Sequence, residues 1–592
     1  MIFIRNWIQQ WGCALVLAAL TAFMATNILV QVTSSEDYYS LDAITQLSLT
    51  AIIIGTVAGS IILGGIILLT RKKMIGSIAF LLVGMIYVLA GAFWSESLET
   101  ALGFGLTGVG LWYFFSNRYE AVFNRFQGES KRWWLLPAAG AVLWIGCFAI
   151  LTVCRYLSFY TPSYDFGIFS QMFYYMKETG IPYTTCERSE LLSHFAVHMS
   201  PTLYIMLPFY WLFPSPITIL VLQLLAIASG VIPLWKLAKK YHMVNGIAAL
   251  LCVVYLLYPA FTGGLFYDFH ENKLLAPLIL WLLYAMEQRS KIWYWVVVIL
   301  TLGVKEDAAI YVACISLFMI FSKKDWKKGT ASFLLSVIWF FVVVHWLNTY
   351  GDGAMMGRYA NFVGKEGSVI DLVKNIIKNP AYVVEECFTA DKIQFLLWML
   401  VPLAGVMFTT KQLSCYLLFI PLLVINLMSD NEYQSSIFYQ YTYGSGVLLI
   451  YVTMVVLANW KKSAQLRCLI AMILLSATLF SSILSQKLYY YTAYDEQKNA
   501  TISSNLDLIP ADASVEASTW FVAYLSSREE IYSMKSGVVH EVNAYVFDMR
   551  YSEFKEELEV REPELIAQGY KQISKDTEYV VIYYKEDISN NK

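Results

Sequence analysis

The chain has 592 residues, is 58% hydrophobic and 15% charged, and has a mean hydropathy of +0.54, which excludes an ordinary soluble globular fold. Its net charge of −2 excludes the basic field of a nucleic-acid-binding protein. Nine cysteines without a Cys-x-x-Cys pair exclude the common zinc and dithiol motifs; Cys186 and Cys387 could meet outside a membrane, although free thiols are the simpler reading.

Arg5 and the apolar run from Trp7 to Val30 resemble a signal peptide but lack a clean small-residue cleavage site, so a retained first helix is expected. Apolar runs follow at about 45–70, 74–94, 99–116 and 134–157. Between them, Arg71-Lys72-Lys73 and Asn117–Arg132 (Arg118, Arg125, Lys131, Arg132) are basic, whereas Ser34–Asp42 and Ser95–Thr100 carry acids and no Lys or Arg. Lysine and arginine accumulate on the cytoplasmic side, so this alternation predicts a cytoplasmic N-terminus and puts the stretch from Tyr164 outside.

Pro201–Phe213 is too short to cross and is broken by Pro214-Ser215-Pro216, which predicts an interfacial or re-entrant helix. The run at 216–236 ends in Lys236, Lys239 and Lys240, and 245–262 leads outward to Tyr267–Glu271. Runs at 274–287, 292–304 and 308–321 alternate between Arg289 and Lys291 inside, Lys305-Glu306-Asp307 outside, and Lys323–Lys328 inside. A helix at 331–348 leads to an outer loop, Tyr350–Lys392, and runs near 393–410, 412–428, 443–459 and 467–486 complete the bundle. From about 487 the composition becomes mixed, with short alternating runs at Ser514–Ser518 and Tyr579–Tyr584 and a helical pattern at Tyr551–Glu559.

The fold class predicted is an all-α polytopic transmembrane bundle of roughly 13–15 spans with a small extracytoplasmic α/β domain at the C-terminus. Residues 1–132 form N-terminal helices, 133–486 the transmembrane core with outer loops 158–215 and 350–392, and 487–592 the outer domain.

Ionisable residues near membrane depth are costly unless they face a cavity, a partner or a substrate path. The topology gathers Asp165, His194, His198, Asp268, His270, Glu271, Lys305, Glu306 and Asp307 on one face. Asp165 follows a span directly and precedes Gly167, which lets backbone approach a ligand closely. A carboxylate there suits a general base for a hydroxyl or a ligand for a divalent metal such as Mg or Mn; it suits equally the N-cap of a helix over Phe166–Lys177. His194 and His198 share a face if helical, and read either as two metal ligands or as interfacial histidines bonded to backbone. Asp268, His270 and Glu271 read as a metal site or as a solvated loop. Lys305 suits a lipid phosphate, with a self-satisfied cluster with Glu306 and Asp307 as the alternative. Gln171, Arg358, Tyr439 and Tyr441 complete the candidate substrate-binding set, although tyrosines at that depth are also ordinary interfacial anchors.

These residues carry a resemblance. Asp165-Phe-Gly-Ile-Phe-Ser-Gln171, His194-Phe195 with Ser200-Pro201, Leu207-Pro208-Phe209-Tyr210, Asp268-Phe269-His270, Lys305-Glu306-Asp307 and Tyr439–Tyr441 occur in an order that looks like a bacterial membrane family, domain of unknown function 2079, over about residues 134 to 590. That family resembles the GT-C class of membrane glycosyltransferases. The resemblance implies an outer loop with a catalytic acid just after a span, a soluble outer C-terminal domain, and a sugar donor carried on a polyprenyl phosphate.

Carried onto this sequence, it puts Asp165 in the catalytic position of an inverting transfer to an envelope acceptor, on the outer face of a bacterial plasma membrane. Many GT-C enzymes carry paired acids there. Here Asp165 stands alone, and a second acid would come from Asp268, Glu271 or Glu306. The alternative is a transporter or a non-catalytic scaffold for envelope assembly. A transporter places polar residues near the middle of broken spans, whereas here they cluster on one face.

Overall fold

The computed structural model describes residues 2–33, 39, 46–95, 97–116, 124–288, 291–353, 356–364, 367–534 and 538–586. Arg118, Arg289 and most of the acidic Ser34–Asp42 segment, on which the expected orientation partly rests, lie outside these. The protein is mostly helical and multi-pass. Among the described residues, eight helices are long and apolar enough to cross a membrane, or nine if the bent pair Asn245–Leu257 and Pro259–Phe266 forms one span.

The roughly 13–15 spans expected from apolar runs thus resolve into fewer full-length helices. Hydrophobicity reports burial but not a straight path. Ile292–Leu302, Ala308–Lys323 and Leu413–Leu427 are apolar but short. The run at 393–410 turns instead of crossing straight, because Pro402 opens a tight turn and Ala404 (φ 50°) and Gly405 (φ 62°) are left-handed.

Tyr443–Ala458 is the central pillar, with every residue from Tyr443 to Leu457 buried. A helix apolar on all sides has no face to give to water and goes to the middle of the bundle. The N-terminal helices Met74–Phe93 and Leu98–Ser116 pack against Lys462–Thr492, and Ser482 Oγ donates to the Ser95 carbonyl at 2.8 Å. That last helix runs on to Thr492, past the boundary expected at 487, because the Tyr489–Tyr491 stretch continues it.

Two segments lie as surface helices. Pro201–Phe213 folds as the short turns Pro201–Ile205 and Leu207–Leu212, with Phe209, Trp211, Leu212 and Phe213 exposed. In the Tyr350–Lys392 loop, Val369–Lys378 starts with a reciprocal Ser368–Asp371 capping box and exposes Ile370, Val373 and Ile377. Exposed apolar faces on short helices suit a lipid interface.

The seven described strands begin with a small antiparallel pair, β1 (Tyr183–Thr184) and β2 (Leu192–Ser193). The C-terminal domain holds β3 (Val515–Ala517), β4 (Ile531–Ser533), β5 (Ala544–Asp548), β6 (Lys571–Gln572) and β7 (Val580–Tyr584) in the order β4-β3-β5-β7-β6. β3 runs parallel to β4 and β5, while β7 is antiparallel to both its neighbours. Ser552–Ala567 extends the expected helix, and a separate apolar cluster covers each side of the sheet.

Phe159, from the connection after helix Leu135–Leu157, is inserted into one of those clusters. Arg550 Nη1 and Nη2 donate to the Ser158 and Phe159 carbonyls at 3.0 and 2.9 Å. The domain is thereby seated directly on the turn that precedes Asp165. All nine cysteines are free, Cys186 and Cys387 included.

Candidate active site

Helix Leu135–Leu157 carries one charge near its end, the buried Arg155, whose Nη1 lies 2.6 Å from Asp268 Oδ1 and also bonds the Phe266 carbonyl. The Tyr258–Pro259 break makes this possible. Proline has no N–H for the helix ladder, Tyr258 is extended (ψ 118°), and the chain bends by 40° into the buried loop that holds Asp268, His270 and Glu271.

Pro162, also extended, starts helix Ser163–Thr179, and Asp165 falls in its first turn. No side chain caps that helix, so Asp165 is not the N-cap. The residue as a whole is half-buried, Tyr267 hydrogen-bonds to its carboxyl, and Oδ2 is buried without a partner. Burial, then the neighbouring Glu271 carboxylate, push the Asp165 acid up to about 7, against the opposing pull of Lys305 and Tyr267.

Around it lies a chain of paired ionisable groups. Lys305 Nζ is 3.2 Å from Glu271 Oε1, and His270 Nδ1 is 3.2 Å from Glu271 Oε2. His198 Nδ1 meets Glu306 Oε1 at 2.9 Å, and His194 Nδ1 meets Glu187 Oε2 at 2.9 Å. Burial alone would discharge Lys305, but Glu271 and Glu306 more than reverse this and keep it cationic. Burial likewise opposes ionisation of Glu306, yet His198 and Lys305 bring it down to about 2.

His194–Ala196 is a tight turn, not an α-helix, so the two histidines part company and each takes its own acid, with ring centroids 5.9 Å apart. The groups expected to bind a metal are instead paired with other side chains. Asp268 is committed to Arg155 and bonded through its carbonyl by Lys273, Glu271 is committed to Lys305, and among the described residues no three His, Cys, Asp or Glu side chains could hold an ion. Of the acids considered as a second catalytic acid, Asp268 faces Arg155 at 2.6 Å, Glu271 faces Lys305 at 3.2 Å and Glu306 faces His198 at 2.9 Å.

Asp165, Tyr267, His194, His198, His270 and Arg358 line one cavity of about 500 Å³. Glu187, Arg188, Gln440 and Tyr441 also reach it, and Ser533 and Val538 of the C-terminal domain complete its wall. Arg358 lies over the Tyr441 ring, 5.2 Å from its centroid. It also lines a second cavity of about 340 Å³, walled by Phe340, Val344, Leu372, Ile376, Val424 and Ile425, with Lys305, Glu306 and Asp307 also in its lining. Asp307 has a buried Oδ1 without a partner, and burial pushes its acid up to about 6.

Gln171 and Tyr439 lie elsewhere. Gln171 is fully buried, donates to the Thr185 hydroxyl and the Arg528 and Glu529 carbonyls, and accepts from Thr184 and the Thr185 amide. It fastens the C-terminal domain to the helix of Asp165 and leaves no group for a ligand. Tyr439 faces a third cavity.

Sequence reasoning did not single out Arg155, Glu187 or Tyr267, whereas Gln440 belongs to the Tyr439–Tyr441 stretch already nominated. For Arg155 a signal existed, a lone cation in an otherwise apolar helix end. Glu187 sits in Thr185-Cys-Glu-Arg-Ser, where nothing local distinguishes it from a solvated loop acid.

Residues 155–581 match the family model described as predicted membrane protein (DUF2079). The chain belongs to the DUF2079 family. The match starts at Arg155, later than the 134 expected, and contains every candidate site residue of this DUF2079 protein while leaving out the N-terminal helices. No curated protein matches it. Among solved structures it is similar to ArnT from Cupriavidus metallidurans, crystallised with undecaprenyl phosphate, at 11% identity and a TM-score of 0.44, over 77% of this chain and 98% of that one.

Proposed function

We propose that this DUF2079 protein is a membrane glycosyltransferase that moves a sugar from a polyprenyl-phosphate-linked donor to an envelope acceptor on the outer face of the membrane. One arrangement carries the reading. Asp165, a carboxyl with one unpartnered oxygen, shares a polar cavity with Arg358, and Arg358 and Lys305 both line an otherwise largely apolar slot. A polar chamber, cations and a greasy slot are the three parts that a sugar, a phosphate and an isoprenoid tail require.

In this reading the donor phosphate lies against Arg358 and Lys305, and the tail occupies the slot beneath Val369–Lys378. Asp165 takes the proton from the acceptor hydroxyl as its oxygen attacks the anomeric carbon. The anomeric C–O bond to phosphate breaks, and the lipid phosphate leaves with the electron pair, stabilised by the two cations. A base with an acid constant near neutrality suits that task. No step is assigned to a divalent metal; of the loop residues nominated for one, Asp268 is paired with Arg155, Glu271 with Lys305 and His270 with Glu271.

The test is binding and turnover of a polyprenyl-phosphate-linked sugar by purified protein, wild type against Asp165→Asn. Lipid binding kept with turnover lost supports the assignment. Turnover at the wild-type rate in the variant removes Asp165 from the chemistry, and absence of lipid binding in wild type moves the reading to a transporter or scaffold.

A further inference from the structure

Beside the Asp165 cavity lies a separate cleft of about 400 Å³ that the donor does not need. Helix Ala390–Leu400 contributes Asp391, Gln394, Phe395 and Trp398. Their three- and four-residue spacing puts them on one face. The facing wall is the Glu432–Tyr439 segment. Asp391, Gln394 and Glu432 are exposed, and Tyr433 is 43% exposed although it is a large ring.

The rings are ordered. Tyr433 stacks on Tyr439 with centroids 4.4 Å apart, and Tyr439 lies 4.8 Å from Tyr267, the residue that hydrogen-bonds Asp165. Three tyrosines therefore form a continuous ladder from the open cleft to the carboxyl.

The neighbouring cavities differ in charge. The Asp165 cavity sets Arg188 and Arg358 against Asp165 and Glu187, and the apolar slot sets Lys305 and Arg358 against Glu306 and Asp307, whereas the cleft lining has two carboxylates and neither lysine nor arginine. With no cation in its wall, the cleft would repel a phosphate. What suits exposed aromatic faces beside carboxylates and an amide is a neutral polyol. Its C–H faces lie on tyrosine rings and its hydroxyls donate to Asp391 and Glu432 and exchange hydrogen bonds with Gln394.

We propose that this cleft is a binding subsite for a neutral saccharide, and that the saccharide is the acceptor, led along the tyrosine ladder toward Asp165. The word acceptor rests on the transferase reading; the saccharide specificity does not.

The experiment titrates chitotetraose and cellotetraose into full-length protein, in a detergent without a sugar headgroup, by calorimetry. The same preparations are titrated with polyprenyl phosphate. At least one tetrasaccharide is expected to bind wild type. Tyr433→Ala, at an exposed ring, and Gln394→Trp, which fills the cleft, are each expected to weaken it about tenfold or more while keeping lipid phosphate binding. Arg358→Ala is expected to do the reverse.

If wild type binds the lipid but neither saccharide, or if saccharide binding ignores both cleft variants, this proposal is overturned and the transferase reading stands. Saccharide binding that follows Tyr433 in a protein that binds no lipid phosphate supports the cleft and overturns the transferase reading.

Discussion

Arg155 and Asp268, 113 positions apart in the chain, meet at 2.6 Å inside the protein, each side chain 9% exposed. The pair ties the end of helix Leu135–Leu157 to the loop after the Pro259 bend. Asp268 adopts a left-handed backbone (φ 59°), an unfavourable state that aspartate tolerates better than most residues. Its carboxylate is used in the ion pair with Arg155.

Removing one partner leaves the other charge buried and uncompensated. Arg155→Met and Asp268→Asn are each expected to lower stability by about 3–5 kcal/mol, read as a fall in Tm of the purified protein. The double substitution Arg155→Met/Asp268→Asn is expected to cost less than the sum of the two singles, since both remove the same ion pair. Single variants within about 0.5 kcal/mol of wild type would show that the pair is not structural.

The Asp165 acid at about 7 predicts a pH limb in turnover. As the base must be ionised, kcat/KM rises with pH through about 7 and levels off above it. Tyr267→Phe removes a hydrogen bond that favours the carboxylate, so the limb shifts to higher pH while donor binding is unchanged. A flat profile from pH 5 to 9 contradicts the assignment of Asp165 as base.

The same group predicts a stability effect that needs no substrate. The Asp165 acid lies at about 7 in the folded protein against an ordinary 3.8, so its burial costs nothing below 3.8, progressively more up to about 7, and a constant amount beyond. Asp165→Asn never ionises. Its Tm relative to wild type is therefore expected to be higher at pH 8 than at pH 4, and an unchanged gap between the two would exclude a raised acid constant.

Gln171 predicts a structural phenotype in place of a ligand-binding one. Gln171→Leu strips partners from the buried Thr184 and Thr185 hydroxyls and from the Glu529 carbonyl, at an expected cost of about 1–3 kcal/mol. Faster hydrogen exchange across residues 528–533 with unchanged lipid affinity is the expected reading. Lost lipid affinity without altered exchange would return Gln171 to the binding site.

Much of this was legible in the chain. Hydrophobic runs with basic and acidic boundaries are enough to require a multi-pass bundle, because backbone in lipid must satisfy itself as helix. The alternating runs at 514–518 and 579–584 became β3 and β7, since side-chain periodicity is set by local backbone geometry. Asp165, His194, His198 and His270, which the sequence reading set on one face with Lys305, line one cavity, and Lys305 lines a second that shares Arg358 with it.

What tertiary structure alone decided is which group answers which. His194 and His198 are four residues apart, yet one takes Glu187 and the other Glu306. Tyr439 and Tyr441 are two apart, yet they face different cavities. Element type depends on sterics and solvent within a few residues and can be read locally. A charge pair or a cavity wall depends on where a proline bend, a left-handed aspartate and a docked domain carry residues hundreds of positions apart. That information enters only when the chain has packed.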